Sequence, residues 1–341
     1  MPASLIPAYH GSLIADALSM PVHWYYDRQA LDRDYPDLSD FCTPLGHHPD
    51  SILWRSHYTA LNEKGDILHD QARFWGQPNI HYHQNLKAGE NTVNFKLARL
   101  LYQQVIEAGH YSEQAWLDLY IEKMLTPGWH RDTYLEEYHR GFFNRYAQGK
   151  EPRKCGIKDE HIGVLATVPA LVAALTSEGQ DRCLGREEIR QIVKSHVTLT
   201  HRHSNVLRAA DCLTRLLVDL SEDIPLREAV MHSAGDWFST KRATAWTRQD
   251  DRIIIGSKLS PACYIDHAFP AALYLAWKYH RDFETGIIAN AMAGGDNCHR
   301  GVVVGALLGA ANGVNRHWAE GLRETNSRRA PSPQTLSLIH I

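Results

Sequence analysis

The sequence predicts an all-α protein, and three observations carry that reading. From Val93 to Val314 apolar residues recur at helical spacing in segment after segment. No pair of β-type runs stands at hairpin spacing. Polar turns rich in Gly, Asp, Asn and Thr repeatedly open apolar helices. The expected architecture is a single large compact multi-helix domain over residues 1–325, without internal repeats, its loops gathered around a central cleft. Residues 326–341 are expected to form a disordered tail. The last six, LSLIHI, match the translation of a transposon adapter used in DNA library preparation, so residues 336–341 are read as an artefact.

The first helix is read over Pro7–Ser19, with Leu13, Ile14, Ala17 and Leu18 apolar and Gly11, Ala15 and Ser19 forming a small-residue face. Asp16 lies beside that face and needs a partner or a metal if it is buried. Pro21 ends the helix. His23, Trp24, Tyr25 and Tyr26 follow, a cluster able either to stack on a base or sugar or to pack a helix end. Residues 28–90 hold few periodic apolar segments; a stretch this long and irregular suits a lid. Within it His81 and His83 share a face only on extended backbone, where they can bind a metal or substrate or merely hydrogen-bond.

Gly89-Glu90-Asn91-Thr92 opens a helix over Val93–Ala108, and Asn91 or Thr92 suits its cap. Further helices are read over Ser112–Leu125, Thr133–Ala147, Ile162–Leu175, Arg186–Leu199, Asn205–Leu220, Leu226–Phe238, Tyr264–His280 and Phe283–Ala293. The polar stretch Thr240–Lys258 is expected to hold a short strand at Ile253–Ile255.

The chain is organised around Asn290–Val314, NAMAGGDNCHRGVVVGALLGAANGV. Gly301, Gly305, Gly309 and Gly313 share one helix face. Each glycine weakens a helix by roughly 1 kcal/mol relative to alanine, so four on one face predict another backbone close by. The apolar run is shorter than the ~20 residues a bilayer requires. The polar head, Gly294-Gly295-Asp296-Asn297-Cys298-His299, lies at the positive end of the helix dipole and suits an anion or phosphate. The plainer reading is that Asp296 or Asn297 only caps the helix.

Composition narrows the classes. At 44% hydrophobic and 22% charged the chain is globular, and a formal net charge of −3 argues against a nucleic-acid partner. The 21 histidines allow metal or proton chemistry. Six scattered cysteines form no CxxC pair, and the amino terminus lacks a signal-peptide pattern. A soluble cytoplasmic protein with reduced thiols and no membrane partner is expected.

Three motifs in order resemble the ADP-ribosylglycohydrolase superfamily, which includes the dinitrogenase reductase-activating glycohydrolases and the J-class lens crystallins of jellyfish. They are GSLIADALSMP, similar to G-x-x-x-G-D-A-x-G-x-P; Glu90-Asn91-Thr92, similar to D-D-T; and GGDNCHRGVVVGALLGAANG, similar to G-G-D-T-D-T before a Gly/Ala-rich helix. THRHSNVLRAADCL is similar to the family's middle helix region. The resemblance implies an all-α fold and two divalent ions, Mg²⁺ or Mn²⁺, held by carboxylates and threonines of the second and third motifs. It implies that the ions position the distal ribose of an ADP-ribosyl group for hydrolysis of its glycosidic link.

Carried over residue by residue, the resemblance places metal ligands at Glu90, Asn91, Thr92, Asp296, Cys298 and His299. The catalytic set is Asp296, Glu90, His23 and His299, with His23 where relatives often carry a glutamate. Substrate contacts fall to Asp16, Asn91, Gly294, Gly295, Asn297, His81 and His83. Fewer carboxylates stand here than two Mg²⁺ ions require. Three readings follow: a divergent hydrolase with one hard metal or none, using His23 or His299 as acid–base group; a Zn²⁺ site at Cys298 and His299 with His81 or His83; or an inactive nucleotide-binding or structural, crystallin-like protein.

Overall fold

The structure, a computed structural model, describes residues 3–323. Both tail expectations, residues 326–341 and 336–341, lie outside the described residues. All regular structure among these residues is helical, apart from three isolated bridges, His47 with Ile80, Ile157 with His201 and His161 with Tyr264. None of the described helices is long and apolar enough to cross a membrane.

Helix α1 (Ile6–Ser19) is followed by a 3-10 turn at Met20–Val22 and by α2 (Arg28–Asp34), which Asp27 caps. The irregular segment then packs down, burying Leu53, Ile67, Leu68 and Tyr82 and bringing His48, His81 and His83 inward. Helices α3 (Val93–Ala108) and α4 (Glu113–Met124) follow as the periodicity predicts. Helix α5 (Glu137–Ala147) begins later than Thr133, because 129–136 is a loop that turns Asp132 and Glu136 inward. The predicted 162–175 helix opens as a 3-10 segment, Ile162–Thr167, and becomes α6 (Val168–Leu175).

Helices α7 (Arg186–Thr198), α8 (Ser204–Ser221), α9 (Leu226–Ser233) and α10 (Thr240–Trp246) continue the bundle. The strand expected at Ile253–Ile255 is not formed. Asp250 accepts the backbone N–H groups of Arg252 and Ile253, nucleating α11 (Asp251–Ile253), which runs into a π-turn at Ile254–Lys258. An apolar triplet without a partner edge satisfies its backbone helically. Helices α12 (Ile265–Lys278), α13 (Phe283–Met292), α14 (Asn297–Asn312) and α15 (Arg316–Gly321) complete the fold.

The two small-residue faces meet each other. A Cβ on Gly305 would stand 2.1 Å from the Gly11 carbonyl oxygen, and one on Gly309 would stand 2.3 Å from that of Pro7. Helices α1 and α14 therefore pack backbone to backbone, as the glycine spacing predicts, and their amino- and carboxyl-terminal motifs share one end. Gly313 departs from this pattern: it follows α14 with a φ of 75° and nothing opposite it.

A buried histidine–aspartate cluster as candidate active site

The loop before α14 is tied to the loop after α1. Trp24 N–H donates to the Gly295 carbonyl at 2.8 Å, and Gly295 N–H donates to that of Tyr25 at 2.6 Å. A Cβ on Gly295 would meet the Pro261 carbonyl oxygen at 2.2 Å, so only glycine allows this approach. Asn297 donates to the Val22 and Ala291 carbonyls. Arg300, fully buried, donates to the Asn290 and Gly294 carbonyls, and burial lowers it to about 10. Gly294, Gly295 and Asn297 thus build the loop.

Asp296 begins α14 without capping it by its side chain. Its Oδ1 instead accepts from His23 Nε2 at 2.8 Å and from His299 Nδ1 at 2.7 Å. His23 Nδ1 lies 2.7 Å from His83 Nε2, and His83 Nδ1 lies 2.9 Å from Asp132 Oδ1. All five side chains are buried. With both carboxylates ionised, the three hydrogen bonds from Asp132 to Asp296 need three N–H groups on two imidazoles. Two neutral rings supply two, so with both rings neutral one of the three contacts lacks a proton.

The electrostatics follow the geometry. Burial alone would raise both aspartates. His299 and His23 outweigh it and hold Asp296 well below the carboxylate range, while His83 and Lys96 hold Asp132 at about 2. Burial, with His83 and His299 nearby, takes His23 down to about 3 against the pull of Asp296. Burial also opposes charge on His299, but Asp296 and Glu136 raise it to about 9. The Asn94 amide, 2.8 Å from His299 Nε2, favours the neutral ring there; Glu136 Oε2, 3.4 Å away, favours the charged one. The ring therefore takes its second proton where it faces Glu136, whose own carboxyl burial raises.

The second motif lies beside this cluster with its donors engaged elsewhere. Asp16 accepts from Asn91 Nδ2, Thr92 N–H and Thr92 Oγ1, each at 2.9 Å. Asn91 and Thr92 thus act as donors to Asp16, whose carboxylate serves the start of α3 in place of a self-cap. Glu90 accepts from Arg131 at 2.6 and 2.7 Å and stands near the buried ammonium of Lys96. Cys298 packs with Met20 and Leu86 and donates to the Asp16 carbonyl. His81 joins the Pro21 carbonyl and holds the His83 backbone.

Asp132, Glu136 and Asn94 enter the site without having been singled out by sequence. Two carboxylates four apart in HRDTYLE, ahead of a helix, were the available signal. Trp24, with φ at 65°, lays its indole over His23 at 3.9 Å and meets Tyr82 and Tyr134 edge-on. A left-handed tryptophan is strained; the Gly295 bond holds it in place.

The ADP-ribosylglycohydrolase family model matches residues 5–337. The chain belongs to the ADP-ribosylglycohydrolase family. A solved chain from an "ADP-ribosylglycohydrolase-related protein complex" matches 94% of this chain and 92% of its own length, at 18% identity and a TM-score of 0.54. That likeness concerns the fold. Comparison with curated proteins gives no significant match.

In this family member one group of side chains could hold a divalent ion, which would take the place of the protons that now bridge both imidazoles to Asp296. His23, Asp296 and His299 offer ligand atoms within 4.8 Å of one another. Asp296 Oδ2 is buried without a hydrogen-bond partner. A second ion beside Glu90 does not fit as the side chains stand, because Arg131 and Lys96 already bring two cations to that carboxylate.

Proposed function

We propose that this protein is a glycosidic-bond hydrolase acting on an ADP-ribosyl or related N- or O-linked nucleotide-sugar substrate, with one divalent cation at His23, Asp296 and His299. The observation that carries the reading is the convergence of these side chains on a buried carboxylate whose second oxygen is unpartnered. Two imidazoles and one carboxylate suit a borderline ion such as Zn²⁺ better than Mg²⁺. Such an ion, when bound, polarises an oxygen ligand and lowers the pKa of a coordinated water.

The chain's own groups divide the remaining work. Glu136 is the outermost carboxylate of the cluster and lies against Gly163, so closely that a Cβ there would meet it at 2.5 Å. Burial favours its protonated form. It is placed to give that proton to the leaving atom, and His299 to restore it. Asp132 and His83 fix the orientation of His23. Trp24 excludes water from the imidazoles. Six cysteines, all free thiols, suit a reducing compartment such as the cytoplasm.

A second reading, a structural or nucleotide-binding protein without catalysis, is favoured by one observation. His23, His83, Asp132, Asp296 and His299 are all buried, and their polar atoms are met internally except for one oxygen each of Asp132 and Asp296. Hydrolysis of an ADP-ribosylated peptide by wild type and Asp296→Ala separates the two. Loss in a folded variant supports the hydrolase; absence of turnover in wild type with every divalent ion supports the second reading.

A further inference from the structure

We propose that the groove along the outer face of α5 is a docking surface for an acidic segment of another protein. The proposal does not rest on the hydrolase reading. Helix α5 turns Tyr138, His139, Phe142, Phe143 and Ala147 inward. Its other face carries Glu137, Arg140, Gly141, Asn144, Arg145 and Gln148 at helical spacing, and these residues line a groove of about 710 Å³. Lys150, Ile157 and Lys158, from the segment after α5, line it as well. A Cβ on Gly141 would meet Ile157 Cδ1 at 2.8 Å, so the two segments touch and the groove has a floor.

The lining is strongly one-sided in charge. Arg140, Arg145, Lys150 and Lys158 face a single carboxylate, that of Glu137. Nearby Arg153 and Lys154 pair with Glu113 and Glu151. The partners of Arg140 and Arg145 are instead uncharged: the Leu135 carbonyl and Tyr134 hydroxyl for one, the Gly156 carbonyl for the other. Lys150 and Lys158 are exposed. Among the described residues none of the four forms an ion pair. Arg140 is also fixed in place, 5.4 Å from the Trp75 ring and 5.6 Å from that of Tyr134. A cation held before binding loses little freedom when a carboxylate docks on it. Unmatched positive charge of this density, on a chain of net charge −3, is complementary to an anionic partner.

Shape and hydrogen bonding favour a peptide. The groove follows α5 for roughly 16 Å, at about 1.5 Å per residue. An extended peptide covers that length with about five residues. Arginine receives a carboxylate through two parallel N–H bonds. The exposed amides of Asn144 and Gln148 offer both donors and acceptors, which a peptide backbone can meet and a phosphodiester backbone, acceptor only, cannot. The overall negative charge repels a long polyanion beyond the groove. Tyr134, against Arg140, meets Trp24 edge-on at 5.2 Å, and Trp24 covers His23. A docked segment therefore lies beside the Asp296 cluster.

The test uses the full chain, in chelator, and a fluorescein-labelled hexaglutamate peptide read by anisotropy. Wild type should bind it saturably, and more weakly as salt rises. The double variant Lys150→Glu/Lys158→Glu, at two exposed positions, should weaken binding by about 10-fold or more. Lys150→Arg/Lys158→Arg should keep it, as should Lys241→Glu, an exposed position on α10. Asp296→Ala should bind as wild type does, which separates this surface from the proposed metal centre. No saturable binding by wild type, or equal binding by the glutamate double variant, overturns the proposal. So does tighter binding of a labelled six-nucleotide DNA strand than of hexaglutamate, which would make the groove a nucleic-acid site.

Discussion

His23 and His83 face each other ring nitrogen to ring nitrogen at 2.7 Å, an arrangement that exists only because an aspartate stands at each outer edge. Asp132 also stands near the buried ammonium of Lys96. Asp132→Asn removes that carboxylate and leaves the Lys96 cation short of a counter-ion. Breaking one partner of a buried pair costs about 3–5 kcal/mol. The variant should lose stability on that scale in urea unfolding, and a loss below about 1 kcal/mol would show that Lys96 does not depend on Asp132 for its counter-ion.

Gly305 meets the Gly11 carbonyl so closely that any Cβ must push two helices apart. Gly305→Val should destabilise by about 3 kcal/mol or abolish folding, since backbone cannot rearrange like a side chain. A thermal midpoint within a few degrees of wild type would show that α1 and α14 can separate without cost.

His299 supplies a pH signature. Its folded-state pKa, about 9, lies above its ordinary value. The stabilisation is fully present below about pH 6.5 and is lost as pH rises through the folded value. The shift corresponds to on the order of 3 kcal/mol. Wild type should therefore lose more stability than His299→Gln across that window. Parallel curves would mean that the Asn94 amide keeps the ring neutral throughout.

The placement of the motif residues predicts a metal pattern. Asp296→Ala and His299→Ala should lose bound Zn²⁺, whereas Cys298→Ser and Glu90→Gln should retain it. Cys298 faces Met20 and Leu86, and Glu90 faces Arg131. Metal content of protein dialysed against Zn²⁺ measures this directly. Zinc lost on Cys298→Ser would return the site to the thiol.

Most of the helical fold and one wall of the site are legible in the sequence, for reasons that are physical. Gly301, Gly305 and Gly309 have a local cost that only a close partner offsets, so their spacing predicts the packing with α1. His23, Asp296 and His299 stand in motifs whose order the family resemblance supplies. Asp132 and Glu136 are invisible to that logic, because a loop whose backbone bends inward has no periodicity to betray its direction. The bonds of Glu90 to Arg131, and of Asn91 and Thr92 to Asp16, are likewise set by tertiary partners far along the chain. Ile253–Ile255 reads as strand by residue type and folds helically because Asp250 precedes it.

The most direct test of the central claim is calorimetric titration of the tag-free protein with ADP-ribose in chelator, with Mg²⁺ and with one equivalent of Zn²⁺. The same titration is repeated on Asp296→Ala. A single-ion centre at His23, Asp296 and His299 predicts binding that appears with Zn²⁺, is weaker or absent in chelator, and disappears in the variant. Binding of equal strength in chelator, or undiminished in Asp296→Ala, would contradict it.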